Sequence, residues 1–287
     1  MFDTHVRFAR LAVSRASALA SALASALAFA MASAMAFAMA FAMAFTMAFA
    51  GSGLVPSVLS AQALPSPQEL VARHDSLVGG RAALDTHTSV RITGSFAIPL
   101  MALDAPLEIL KRKPNRYVLR TSLGQMGDLM SGYDGANAWV IQPGQGPTLL
   151  TGAQATQLSQ QADFYGDLHD LTRFTSVETV DQTEFEGKRA FRVRMVRPNG
   201  DSVIEFFDVT TGLSLGATNS IGTPTGRVET TSVFTDYKEF SGLRVATRVV
   251  QRNPQFELII TVLTLEFDTV DEAAILPPES IRVLIKP

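Results

Sequence analysis

The stretch Ser89-Val90-Arg91-Ile92-Thr93-Gly94-Ser95-Phe96-Ala97-Ile98 alternates apolar Val90, Ile92, Phe96 and Ile98 with Arg91, Thr93, Ser95 and Ala97. That two-residue period is the mark of a strand with one buried and one wet face. The same alternation recurs at 103–111, 116–123 and 189–197, where Phe191, Val193 and Met195 oppose Arg192, Arg194 and Arg197. Between the runs stand turn pairs: Asp134-Gly135, Glu186-Gly187, Asn199-Gly200, Thr211-Gly212 and Ser241-Gly242. Pairs of this kind close tight hairpins, so the chain reads as an antiparallel meander.

One interruption, 152–173, has helical spacing in Ala155, Leu158 and Ala162, with Leu168 and Leu171 beyond, and splits the strands into two groups. A helix also precedes the first strand. Ser66-Pro67-Gln68-Glu69 is a capping box with Pro at the first helical position. Leu70, Val71, His74, Leu77 and Val78 then share one face, and Gly79-Gly80 supplies the stop. Many strands with large apolar residues and only two or three short helices predict a large curved sheet with an apolar cavity, the usual seat of a greasy ligand.

Upstream of this domain the composition changes. Arg7, Arg10 and Arg15 are followed by a charge-free segment from Ala16 to Gln68, rich in Ala, Met and Phe, with Met31, Met35, Met39, Met43 and Met47 at four-residue spacing. That is the pattern of an export signal, and the methionine stripe is an expanded hydrophobic region rather than a ligand set. Ala61 and Ala63 fit the small-x-small cleavage pattern, so residues 1–63 are expected to be a signal segment removed after Ala63. The alternative is an uncleaved anchor, because 27–50 is long enough to span a bilayer.

The remainder, 64–287, is expected to be a single domain with a substantial core. The whole chain has 24 basic and 27 acidic residues; without Arg7, Arg10, Arg15 and Asp3, 21 basic and 26 acidic remain, a net charge of −5. No basic stripe for nucleic acid is present. The absence of cysteine rules out disulfides and the lipid-modified cysteine of a bacterial lipoprotein.

Candidate chemistry is sparse. Gly212-Leu213-Ser214-Leu215-Gly216 matches a nucleophile elbow, yet no helix pattern follows it and the last histidine, His169, precedes it. Asp167, His169 and Asp170 have ligand-type side chains at short spacing, but the sequence offers no second cluster to complete a metal shell. His74 lies on an apolar helix stripe and His87 in a polar loop, so both read as packed or solvated. Pro143-Gly144-Gln145-Gly146-Pro147 lacks the third glycine of a dinucleotide loop, and Glu184 and Glu186 sit at a turn. No catalytic residue, metal ligand or cofactor is therefore assigned, and the chain is expected not to be an enzyme.

The order of motifs resembles the lipoprotein-localisation-factor superfamily, the LolA/LolB-like carriers and outer-membrane lipoprotein-sorting relatives. The resemblance runs from the opening helix ending in Gly79-Gly80, through Tyr133-Asp134-Gly135 with Trp139, Phe207-Asp208 with Thr211-Gly212-Leu213, and Tyr237 before Ser241-Gly242-Leu243, to Ile275-Leu276-Pro277-Pro278. Ala246 stands where many relatives carry proline, and the charged lid-latching residue of true carriers has no counterpart.

The resemblance implies a mainly β (α+β) fold, an incomplete antiparallel β-barrel covered by helices, whose interior receives acyl chains in the periplasm. The expected function is a periplasmic, non-enzymatic carrier of lipid or lipoprotein acyl chains, with only transient membrane contact. Phe96, Ile98, Leu119, Trp139, Phe191, Val193 and Met195 are the expected core or cavity wall. The alternative is an envelope protein-interaction or sensor domain on the same sheet, anchored through the N-terminal segment and binding envelope protein partners.

Overall fold

In a computed structural model that describes residues 63–285 apart from 167, 199, 224, 225 and 255, the strands form one antiparallel sheet that is not closed. The expectations for 1–62, the apolar run and methionine stripe among them, lie outside the described residues. Strands β1 (Ser89–Ile98), β2 (Leu103–Arg112), β3 (Arg116–Ser122), β4 (Asp128–Tyr133), β5 (Ala138–Gln142) and β6 (Gly146–Leu150) form one hairpin series. Strands β7 (Ser176–Phe185), β8 (Lys188–Val196), β9 (Ser202–Asp208), β10 (Ser214–Thr223), β11 (Gly226–Phe240), β12 (Leu243–Arg252) and β13 (Glu257–Phe267) form the second.

The sheet order is β6-β5-β4-β3-β2-β1-β13-β12-β11-β10-β9-β8-β7, so the two series join where β1 lies beside β13. Val90 there faces Phe267, and Phe96 faces Ile260. Turn chemistry sets the hairpin registers. Glu186 and Gly187 have φ of 47° and 77°, and Ser241 and Gly242 have 49° and 82°, the positive pair whose twist matches that of the flanking strands.

The helices are α1 (Pro67–Leu77), α2 (Gly80–Asp85), α3 (Gly152–Ala162), α4 (Glu272–Ile275) and α5 (Glu279–Ile285). At the start of α1, Glu69 N donates to Ser66 Oγ at 3.2 Å and Ser66 N donates to Glu69 Oε2 at 2.7 Å, the reciprocal capping box anticipated from sequence. The glycine pair ends this helix but starts another. Gly79, at φ 105°, redirects the chain, and α2 follows at once.

The chain divides into two compact units. The first comprises Gly79–Leu168 and Phe234–Pro287, and part of its sheet is covered on both faces. On one face Phe96, Ile98, Leu107, Ile109, Tyr117, Leu119 and Leu129 pack with Leu158 and Ala162 of α3. On the other, Leu110, Val118 and Trp139 pack with Val270, Ile275 and Ile281 of the C-terminal segment. This corrects the expectation of one wet face at Leu110 and Val118, while Asp104, Pro106 and Ser122 on the same side of β2 and β3 are exposed as expected. The C-terminal segment folds back over Leu110 and Val118, held by Arg112 Nη1 donating to the Val270 carbonyl at 2.9 Å and Arg120 Nη2 to that of Ala274 at 2.6 Å. Gly132 makes room for this face: a Cβ there would lie 2.4 Å from the Trp139 ring.

The second unit contains 63–78 and His169–Val233. Leu70 and Val71 of α1 pack on Val193, Met195, Val203, Phe207 and Ala217, each burial worth about 1.5–3 kcal/mol for the larger side chains. Edge strand β7 keeps strict alternation between exposed and half-buried positions, as a strand with a single covered face should.

Candidate functional site

The residues nominated from strand alternation fall into three clusters. Phe96, Ile98 and Leu119 share the α3 face of the first unit and are at most 3% exposed. Trp139 lies on the opposite face of the same strands, under the C-terminal segment, and meets none of those three in one cluster. In the second unit Val193 and Met195 are fully buried beneath α1, while Phe191 is half-buried at the margin of that cluster.

The α3 face carries a polar anomaly. The Tyr117 hydroxyl and both side-chain polar atoms of Gln161 on α3 are buried with no hydrogen-bond partner, as is the Thr121 hydroxyl on β3. Burial alone drives the Tyr117 pKa far above its ordinary value. An unpaired buried hydroxyl or amide costs about 1–3 kcal/mol, so the face contains donors and an acceptor that its own chain does not use. By contrast α3 touches the sheet through few apolar side chains, Ala155, Leu158 and Ala162.

A separate open groove of about 440 Å³ in the first unit is lined by Thr93, Pro106, Glu108, Arg120, Met130 and Leu263. Its charged groups serve one another. Arg120 Nη1 donates to Glu108 Oε2 at 3.0 Å, and Arg91 approaches the other carboxylate oxygen of Glu108 at 3.4 Å.

In the second unit the structure assembles a buried charged cluster. His169 Nδ1 is 2.8 Å from Asp75 Oδ1, and its Nε2 is 2.8 Å from Glu205 Oε2. The Glu205 side chain is 4% exposed and that of His169 5%. The Ser214 N–H donates to His74 Nδ1 at 3.1 Å, and the His74 ring meets that of His169 edge to face at 5.4 Å.

A carboxylate at each ring nitrogen favours the charged form of His169. Burial works against its charge, but Glu205 and then Asp75 overcome that and push its pKa up to about 10. Burial likewise raises Glu205, yet the charge and hydrogen bond of His169 prevail and hold its carboxyl below the usual range. His74 moves the other way: burial depresses it, against the pull of Glu205.

This cluster corrects the reading of His169 as a ligand-type residue with nothing to complete its surroundings. Its companions come from α1 and β9, far away in sequence. Asp170 turns instead to Thr172 and Arg173, and Asp167 lies outside the described residues. The sequence did carry one signal. Glu205 has the same strand parity as Val203 and Phe207, which puts a carboxylate in the row that packs under α1.

Ser214 begins β10, and no helix follows it, so the turn has no nucleophile-elbow geometry. His87 stacks on Phe267 at 4.0 Å, and its Nδ1 lies 2.8 Å from Asp268. Pro143 to Gln145 form the turn between β5 and β6, with Gly146 and Pro147 opening β6, in the hairpin read from sequence.

No protein-family model matches the chain, and no curated protein matches it either. Its fold recurs among solved structures. A DUF1329 family protein from Desulfovibrio piger is 12% identical, with a TM-score of 0.53 over 73% of this chain and 98% of its own. A LolA superfamily protein from Nitrosomonas europaea is also 12% identical, with a TM-score of 0.51 over 75% and 99%. The chain thus shares its fold with a LolA superfamily protein, the fold that its order of motifs implied. At this identity the likeness is one of fold.

Proposed function

We propose that this chain is an exported, non-enzymatic protein that binds the acyl chain of a lipid or lipoprotein between α3 and the sheet of its first unit. The observation that carries the reading is the pairing of an apolar face with buried, unpartnered Tyr117 and Gln161 groups. An acyl chain brings methylenes for the face and an ester or amide for those groups. At about 0.8 kcal/mol per buried methylene, a dozen supply about 10 kcal/mol before ordering costs. Entry requires α3 to lift, and its light apolar footing favours that.

Phe96, Ile98 and Leu119 form the proposed wall in this unit, and Phe191, Val193 and Met195 a second apolar surface under α1; Trp139 secures the C-terminal segment. Export rests on the charge-free N-terminal segment and cleavage after Ala63, which places the protein in the periplasm. Native mass spectrometry with lipid extraction, on protein exported to and purified from the periplasm, tests the reading. A co-purifying acylated species is the expected result. A clean apo mass that takes up no added lipopeptide overturns it.

A second reading has its own support. The near-complete burial of Phe96, Ile98 and Leu119 by the chain's own side chains suits a filled domain that binds envelope proteins on its surface. Phe191→Asp probes the second apolar surface: half-buried Phe191 tolerates the change, and lost lipopeptide uptake by a folded variant extends the proposed wall to the sheet under α1. Unchanged uptake in that folded variant removes Phe191 from the wall.

A further inference from the structure

The acyl-binding reading uses nothing of the charged cluster in the second unit. Burying the Glu205 carboxylate and two imidazoles beneath α1, beside a half-buried Asp75, is expensive, and well-packed apolar residues would fill the same space at no loss of stability. Glu205 in particular interrupts the apolar row Val203, Phe207 from below. A group this costly calls for a ligand or a specific task.

We propose that His74, Asp75 and His169 bind one divalent transition-metal ion of the zinc type, with Glu205 as the residue that positions His169. One ligand atom from each of the three lies within 4.8 Å of the others. Two imidazoles and one carboxylate suit zinc and its first-row neighbours rather than calcium or magnesium, which take oxygen shells. Bonds of 2.0–2.2 Å in a tetrahedral site place ligand atoms about 3.3 Å apart. The His169–Asp75 contact, now 2.8 Å, therefore opens by about half an ångström, while His74 closes in.

The surrounding contacts match what such a site needs. When His169 Nδ1 exchanges its proton for the ion, Nε2–H still donates to Glu205, which fixes the ring's tautomer and direction. His74 touches backbone at Gly212 as well as at Ser214. Donation to the Gly212 carbonyl in place of acceptance from the Ser214 N–H leaves a ring nitrogen with its lone pair for the ion. Three protein ligands leave a fourth position for water or an incoming oxygen.

The test titrates Zn²⁺ into the metal-stripped full chain by calorimetry, and substitutes Co²⁺ as an optical probe. Expected results are one ion per chain and, in the wild-type protein, the intense visible absorption of four-coordinate cobalt. Asp75→Asn, the most exposed of the three positions, should abolish one-to-one binding. Glu205→Gln leaves all three ligands and should weaken affinity about 10–100-fold, with circular dichroism confirming that both variants are folded. Absence of one-to-one binding, the weak spectrum of six-coordinate cobalt, or zinc affinity untouched by Asp75→Asn each overturns the site. Loss of acyl uptake has no bearing on any of these readouts.

Discussion

Each unit of the molecule buries polar groups under a helix, and the two do so in opposite ways. Under α3 the groups are neutral and unpaired, Tyr117 and Gln161 in an apolar cluster. Under α1 they are charged and paired, with His169 held by a carboxylate at each ring nitrogen. Unpaired neutral groups weaken the interface that contains them and reward any ligand that completes their hydrogen bonds. Paired buried charges lock their elements in register, and each makes the loss of its partner severe. The first arrangement suits opening and the second suits holding.

The largest effect should come from breaking the charged pair. His169→Leu strands the Glu205 carboxylate beneath α1 and should cost about 3–5 kcal/mol, read as a fall in the denaturation midpoint with an unchanged slope. Replacing both, as His169→Leu with Glu205→Leu, should recover most of that loss, because two apolar side chains suit a row that already contains Val203 and Phe207. A double variant as unstable as the single would mean that the cluster itself supports the fold, and would weaken the argument that it is kept for a ligand.

The matching change under α3 should have the opposite sign. Tyr117→Phe removes an unsatisfied hydroxyl without leaving a hole, and should raise stability by about 1 kcal/mol or more. The same variant should bind lipopeptide more weakly, since it discards the donor offered to the acyl linkage. Thermal unfolding and uptake measured on one preparation check both signs. A Tyr117→Phe protein that is less stable than wild type would show that the hydroxyl already has a partner.

Much of this was legible in the residues. Period-two alternation and turn pairs located the strands, Ser66 to Glu69 located α1, and Ala155, Leu158 and Ala162 located the helix that separates the two hairpin series. The join of β1 to β13 was not, because a pairing across nearly the whole domain leaves no local pattern. The covered patch on the second face of β2 and β3, at Leu110 and Val118, was hidden for a related reason. Val118 falls on the side read as wet in the alternation over 116–123, and only Ile275 and Ile281, far along the chain, cover it. The charged cluster was the least visible part: His74, Asp75, His169 and Glu205 come from a helix, a connecting segment and a strand, and only the parity of Glu205 hinted at it.

The smallest effect tests whether burial is what separates the two kinds of charge. Asp268 in the first unit accepts from the Thr88 N–H at 2.7 Å, the Thr88 hydroxyl at 2.8 Å and His87 Nδ1 at 2.8 Å. The Thr88 backbone bond first, then His87, hold its carboxyl well below the ordinary range. Its folded pKa is thus depressed, so the stability it adds is present above the unfolded value, near 3.8, and is lost as pH falls below that. The side chain is 44% exposed, and solvent screening therefore limits the contribution to about 1 kcal/mol. Asp268→Asn should lower the midpoint slightly at neutral pH and flatten the fall in stability between pH 4 and more acid conditions, with His169→Leu costing several times as much at pH 7. If the two variants cost the same, hydrogen-bond count rather than burial sets the value of a charge in this protein, and the contrast between its two units loses its physical basis.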